Sequence, residues 1–215
     1  TGERLREQLV RDNGLDPARV VSVPTGIDPA RFGAIAKDAA RARLGLPAGT
    51  PLVGIVATLR SWKGHRYLVE ALGRLAHRDA RLAIVGDGPQ RAALAAQVAA
   101  LGLDERVLFA GQQDDVAPWL AALDVFALPS YANEGVPQAL LQAMFARVPC
   151  VTTDAGAIPE IARDGDTATV VAKEDAGALA AAIDALLDDP ARAAAQAGRA
   201  HAFVAPRYTE AAMVE

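Results

Sequence analysis

From about residue 52 onward, short apolar runs alternate with longer Ala-rich stretches, and this alternation limits the possible folds more than any other feature. The apolar runs are "LVGIVA" (52–57), "RLAIVG" (81–86), "RVLFAG" (106–111), "DVFALP" (124–129), "VPCVTT" (148–153) and "ATVVA" (168–172). Helical patterns fall near 65–77, 89–101, 115–122, 137–146 and 156–163, with more from 175 on. Strands this apolar are covered on both faces, and strand–helix alternation is the mark of a parallel sheet flanked by helices. Right-handed crossovers then predict an α/β, Rossmann-like, doubly wound sheet of six parallel strands. In the common order 3-2-1-4-5-6, ligands bind beyond the carboxyl ends of the first and fourth strands. The segments there are "TLRSWKGH" (58–65) and "SYANEGVPQ" (130–138), the two loops richest in polar, charged and glycine residues.

The rest of the composition mainly excludes. Apolar residues make up 52% and aromatics 5%, so the core is built mainly from Ala, Val and Leu. A net charge of −4 provides no basic stripe for nucleic acid. Cys150 is the single cysteine, which rules out an internal disulfide framework and fits a reducing compartment; in "VPCVTT" it reads as a small core residue. No run of 18 apolar residues spans a membrane. These features place the chain in the cytoplasm.

The ends read differently from the middle. Residues 1–12 have the pattern of a surface helix, "RVVSVP" (19–24) that of an isolated strand, and "TGIDP" (25–29) that of a turn. "YTEAAMVE" (208–215) opens a helical pattern without a stop signal. We therefore expect 1–30 to lead into a domain spanning 31–215, as part of a longer protein.

Several side chains are candidates for chemistry. Lys63 offers a compact positive charge for phosphate and Arg60 a bidentate fork; the alternative is two solvated surface charges. Pro137 suits the first position of a helix, and a helix start is an anion site with free N–H groups. Glu134 beside it either caps the helix or grips one part of a ligand whose other part the N–H groups hold. In "VGDGPQ", Gly86 and Gly88 permit a tight turn near the ligand, but Arg91 takes the third glycine position of a dinucleotide fingerprint. Asp164 and Asp166 in "RDGDTA" read as a turn, with a metal–diphosphate site as the lesser reading. Asp114 and Asp115 read as helix caps. His65, His77 and His201 have no metal-ligand spacing, and Trp62 and Trp119 read as packing residues.

"VPTGIDPARF", "KGHRYLVEAL", "VGDGPQRAAL", "LPSYANEGVPQALLQAM", "VPCVTTDAGAIPEIARDG" and "LLDDPARAAAQAG" occur in this order. Together they resemble the C-terminal, donor-binding half of the GT-B glycosyltransferases of family 4. The resemblance implies retaining sugar transfer from a UDP- or GDP-linked sugar, with neither metal nor other cofactor, in cell-surface polysaccharide or lipopolysaccharide synthesis. It implies that Lys63, with Arg60, offsets the charge of the departing diphosphate. It matches Glu134 to the first Glu of an E-x7-E motif, which contacts the donor sugar. Gly135, Val136, Pro137, Gln138, Ala139 and Leu140 then supply the backbone that holds sugar hydroxyls and phosphate, with Gly88 close by. Two positions depart from the family pattern. Gln142 stands where the second Glu meets the ribose, and Thr58 stands where the family has its Arg. The acceptor site is expected in the other half of the longer protein, acting in the cytoplasm or at the inner membrane face. The alternatives are a GT-B nucleotide-sugar epimerase and a non-catalytic nucleotide-sugar-binding module.

Overall fold

The computed structural model describes residues 2–33 and 35–214. Six strands form one parallel sheet: β1 (Leu52–Val56), β2 (Arg81–Val85), β3 (Val107–Gly111), β4 (Val125–Leu128), β5 (Cys150–Thr152) and β6 (Thr169–Val170). Their order is β3-β2-β1-β4-β5-β6, as the sequence pattern predicts. β1 pairs with β2 from Leu52↔Arg81 to Val56↔Val85, and with β4 through Val53↔Val125 and Gly54↔Phe126. The order in which strands are added therefore reverses between β1 and β4, which opens a crevice at their carboxyl ends.

The connections are helical: α3 (His65–Arg74), α4 (Arg91–Ala100), α5 (Ala117–Ala122) and α6 (Gln138–Phe145). After the sheet come α7 (Ala176–Asp188) and α8 (Pro190–Val204). α3 packs against α4 and α7, while α6 packs against α5 and α8, so both faces of the sheet are covered. Val53, Ile55, Leu82, Ile84, Phe126 and Leu128 fill the centre and are at most 1% exposed. The 175–204 stretch is two helices because Asp189-Pro190 ends one and starts the next. The Asp189 carboxylate caps the second by accepting the Arg192 N–H at 2.9 Å.

Three expectations need correction, and one helix went unforeseen. "RVVSVP" forms no strand; its Val20 backbone is extended, and an isolated bridge, Ile27↔Thr209, follows it. Residues 156–163 hold one 3-10 turn, Ile158–Glu160, because Pro159 and its neighbours do not continue an α-helix. Pro137 is the N-cap of α6, with φ −73° and ψ 120°, rather than its first helical residue. A helix that the sequence reading did not foresee, α2 (Lys37–Leu44), packs on α5. The first expected helix is α1 (Glu3–Asn13), and the last is α9 (Glu210–Val214); Thr1 and Glu215, which also fall in these expectations, lie outside the described residues. Among the described residues, no helix is long and apolar enough to cross a membrane.

Candidate functional site

A cleft of about 620 Å³ lies beyond the carboxyl ends of β1 and β4, where the reversal of strand order places it. Two loops form its mouth, and they are sewn together. The Tyr131 N–H donates to the Trp62 carbonyl at 2.9 Å. Gly64, at φ 75°, sits so close to the next loop that a Cβ would lie 2.0 Å from the Pro129 carbonyl oxygen. Only glycine meets both demands. This contact aims Lys63 across the crevice.

Lys63 Nζ reaches both carboxylate oxygens of Glu134, at 2.7 and 2.9 Å. The Ser130 hydroxyl donates to the same carboxylate at 2.5 Å. The Glu134 side chain is only 4% exposed and that of Lys63 21%, so the pair is largely withdrawn from water. A buried carboxylate is costly unless charge and hydrogen bonds satisfy it, and here both do. The Glu134 backbone is fixed as well: its carbonyl accepts the Ala157 N–H at 3.0 Å, and Gly156 packs directly over it. The Thr153 hydroxyl donates to the Ser130 carbonyl, holding the loop from below.

Gly135, Val136, Pro137, Gln138, Ala139 and Gln142 all line the cleft. The N-terminal end of α6 thus faces it, and first-turn N–H groups have no acceptor within their own helix. Leu140 is fully buried in the core and is absent from the cleft lining, so only its backbone remains a candidate.

Two expected residues stand apart. Arg60 does not line the cleft; its guanidinium lies over the Trp62 ring, 5.8 Å from the centroid. Thr58 does line it, which leaves Lys63 as the one cationic side chain among the described lining residues. Gly88 packs against the Leu59 backbone, one layer behind the cleft, while Gly86 reaches the wall. Arg91 lies over Phe109 at 3.7 Å.

The secondary candidates resolve as structural. Asp164 accepts the Val170 N–H at 2.9 Å, closing the expected turn. Asp115 accepts the Ala117 N–H at 3.1 Å at the start of α5. Cys150 is fully buried, and burial pushes its thiol pKa far up. His65 is buried beneath the Lys63 loop; burial first and the Lys63 charge second lower its pKa to about 4. The sequence reading missed Thr25, Gln112, Gln113 and Ser130; the first three line the cleft. The polar run "GQQDD" after β3 was the signal for two of them.

Residues 50–189 match the family described as glycosyl transferases group 1. The lipopolysaccharide core biosynthesis glycosyltransferase LpsE of Rhizobium meliloti is 33% identical over 175 residues, covering 81% of this chain and 51% of that protein. The chain spans about half the length of the curated relatives it matches. Anabaena HepE, solved in complex with UDP and glucose, superimposes with a TM-score of 0.89 at 25% identity, over 96% of this chain and 58% of that one. The C-terminal domain of a glycosyl transferase group 1 family protein from Francisella tularensis gives a TM-score of 0.77 at 25% identity. That match covers 86% of this chain and 99% of that one.

Proposed function

The chain belongs to the group 1 glycosyltransferases, and on that premise we propose that it is the donor-binding half of a retaining, metal-independent hexosyltransferase. One observation carries the reading: Lys63, Glu134 and the start of α6 converge on one cleft at the switch point of the sheet. A departing nucleoside diphosphate gathers negative charge, and fixed cations and helix-start N–H groups stabilise that charge most in the transition state. Lys63 and the N–H groups of Gln138, Ala139 and Leu140 supply such a field. Glu134, held by Ser130, binds hydroxyls of the donor sugar. Gln142 keeps an acceptor for the ribose without the charge of a carboxylate.

In the transfer, the acceptor oxygen bonds to the anomeric carbon as the bond from that carbon to the diphosphate breaks. The acceptor proton leaves with the diphosphate. Binding of the donor requires Lys63 to turn from Glu134 toward the phosphates, and the sugar hydroxyls then take its place on the carboxylate. Arg60 would have to leave Trp62 to assist. The donor on this reading is a UDP- or GDP-linked sugar, and similarity to a lipopolysaccharide core biosynthesis glycosyltransferase supports cell-surface polysaccharide or lipopolysaccharide synthesis as the setting.

Calorimetric titration with UDP and GDP tests the reading. One of them binds, and Lys63→Ala weakens it by about 1.5–3 kcal/mol, the range for a charge-assisted hydrogen bond. Equal affinity in the variant would remove Lys63 from the site.

A further inference from the structure

Glu134 contributes to two cavities at once. The first is the cleft already described. The second, of about 330 Å³, lies between α1 and the segment around Gly156, and its walls include Arg4, Glu7, Gln8 and Arg11. We propose that this second cavity is an acceptor subsite, and that it takes a hydroxyl-rich ring such as a sugar or a cyclitol. The proposal rests on the donor reading of the first cleft, and it places part of the acceptor site within this chain.

Position is the first argument. Transfer requires the two substrates in contact, with reacting atoms roughly 3–3.5 Å apart. Glu134 is common to the walls of both cavities, so a ring in the second lies next to the residue assigned to the donor sugar.

The chemistry of the lining is the second. Arg4, Gln8 and Arg11 recur at helical spacing, with Glu7 between them, so one face of α1 is turned to the cavity. Guanidinium groups donate, a carboxylate accepts, and an amide does both. Ring hydroxyls also donate and accept, so they can satisfy a mixed lining that an apolar ligand would leave unpaired.

Rigidity is the third. The Glu160 carboxylate accepts the N–H groups of Glu3 and Arg4, at 3.0 and 2.9 Å, and so caps α1 from a distant segment. Arg4 also donates to the Gly156 carbonyl at 3.4 Å. The same segment holds the Glu134 backbone through the Ala157 N–H. α1 and Glu134 are therefore tied to one short piece of chain, which fixes the spacing between the two cavities.

Saturation-transfer NMR on the 215-residue chain provides the test, with methyl α-glucopyranoside, methyl α-mannopyranoside and myo-inositol as probes. Each is measured with and without saturating UDP or GDP, whichever binds, and again in the Gln8→Ala/Arg11→Ala variant. The expected result is transfer to at least one probe that persists with nucleotide bound. In the variant its affinity falls roughly tenfold, as loss of two hydrogen-bonding side chains implies, while nucleotide affinity is unchanged. No transfer to any probe in a chain that binds nucleotide would overturn the subsite alone. So would a signal that nucleotide displaces or that survives in the variant. A chain that binds neither nucleotide would overturn the donor reading, and the subsite with it.

Discussion

Lys63 and Glu134 neutralise each other across the mouth of the cleft, yet each is assigned to a different part of the ligand. On the proposed reading, the pair is a resting arrangement that the donor would exchange for its own contacts, with the Ser130 hydrogen bond keeping Glu134 oriented. In an enzyme of the proposed kind that also carries the acceptor half, Glu134→Gln is expected to cut sugar transfer strongly while nucleoside-diphosphate affinity stays near normal. Steady-state rates beside calorimetry check this; an equal loss of nucleotide binding would mean that Glu134 only shapes the site. His65, directly behind Lys63, carries a pH signature. Its pKa falls from 6.5 to about 4 on folding, so between those values the unfolded chain binds a proton that the folded chain refuses. Stability then drops as pH falls through that window, by up to about 3 kcal/mol from this group. Urea unfolding of the protein and of His65→Gln at pH 7 and pH 4.5 measures it. The variant should lose markedly less stability on acidification, and equal losses would assign the effect elsewhere.

The elements that the sequence revealed are those whose burial writes a pattern. The inner strands β2, β1, β4 and β5 were legible because two-sided burial demands apolar runs, and the half-buried edge strands β3 and β6 followed from the strand–helix alternation that parallel pairing demands. The place of the candidate site was legible from the strand order: the switch point named two loops, and the structure brings Lys63 and Glu134 together there. What the pattern misled on was local. "RVVSVP" reads like a strand, but such a pattern predicts only an extended chain and not a place in the sheet. α2 was illegible because half of "KDAARARL" is charged, and beside the buried Ala40 it is anchored by Arg41, buried against Asp124 at 2.6 Å, and not by a long apolar stripe. Arg60 was assigned by its place in the Lys63 loop, but it precedes the 3-10 turn Ser61–Lys63 on extended backbone, and its guanidinium lies over the Trp62 ring instead of in the cleft. The docking of the loops rests on Gly64. Gly64→Ala would place a Cβ against the Pro129 carbonyl in a left-handed backbone, and is expected to cost more than about 2 kcal/mol. Denaturant melts read that loss, and nucleotide affinity should fall with it. Wild-type values for both would show that the loops are positioned by other contacts.

At the scale of the whole molecule, the sheet divides its labour between its two ends. At the amino ends of the strands, Asp124 ties Lys37 and Arg41 of α2 to the Leu52 N–H, and a cavity of about 370 Å³ lies beside them. At the carboxyl ends lie the crevice, Lys63, Glu134 and the start of α6. Both ends offer cations and space, so composition alone does not say which one meets a nucleotide. The reversal of strand order does, and it assigns the ligand to the carboxyl end. Amide chemical-shift mapping of the isotope-labelled chain during titration with UDP and GDP tests that claim most directly. The account predicts that one nucleotide shifts the amides of Gly135, Gln138, Ala139 and Leu140, with further changes at Thr58 and Lys63. Shifts concentrated instead around Lys37, Arg41 and Asp124 would contradict it.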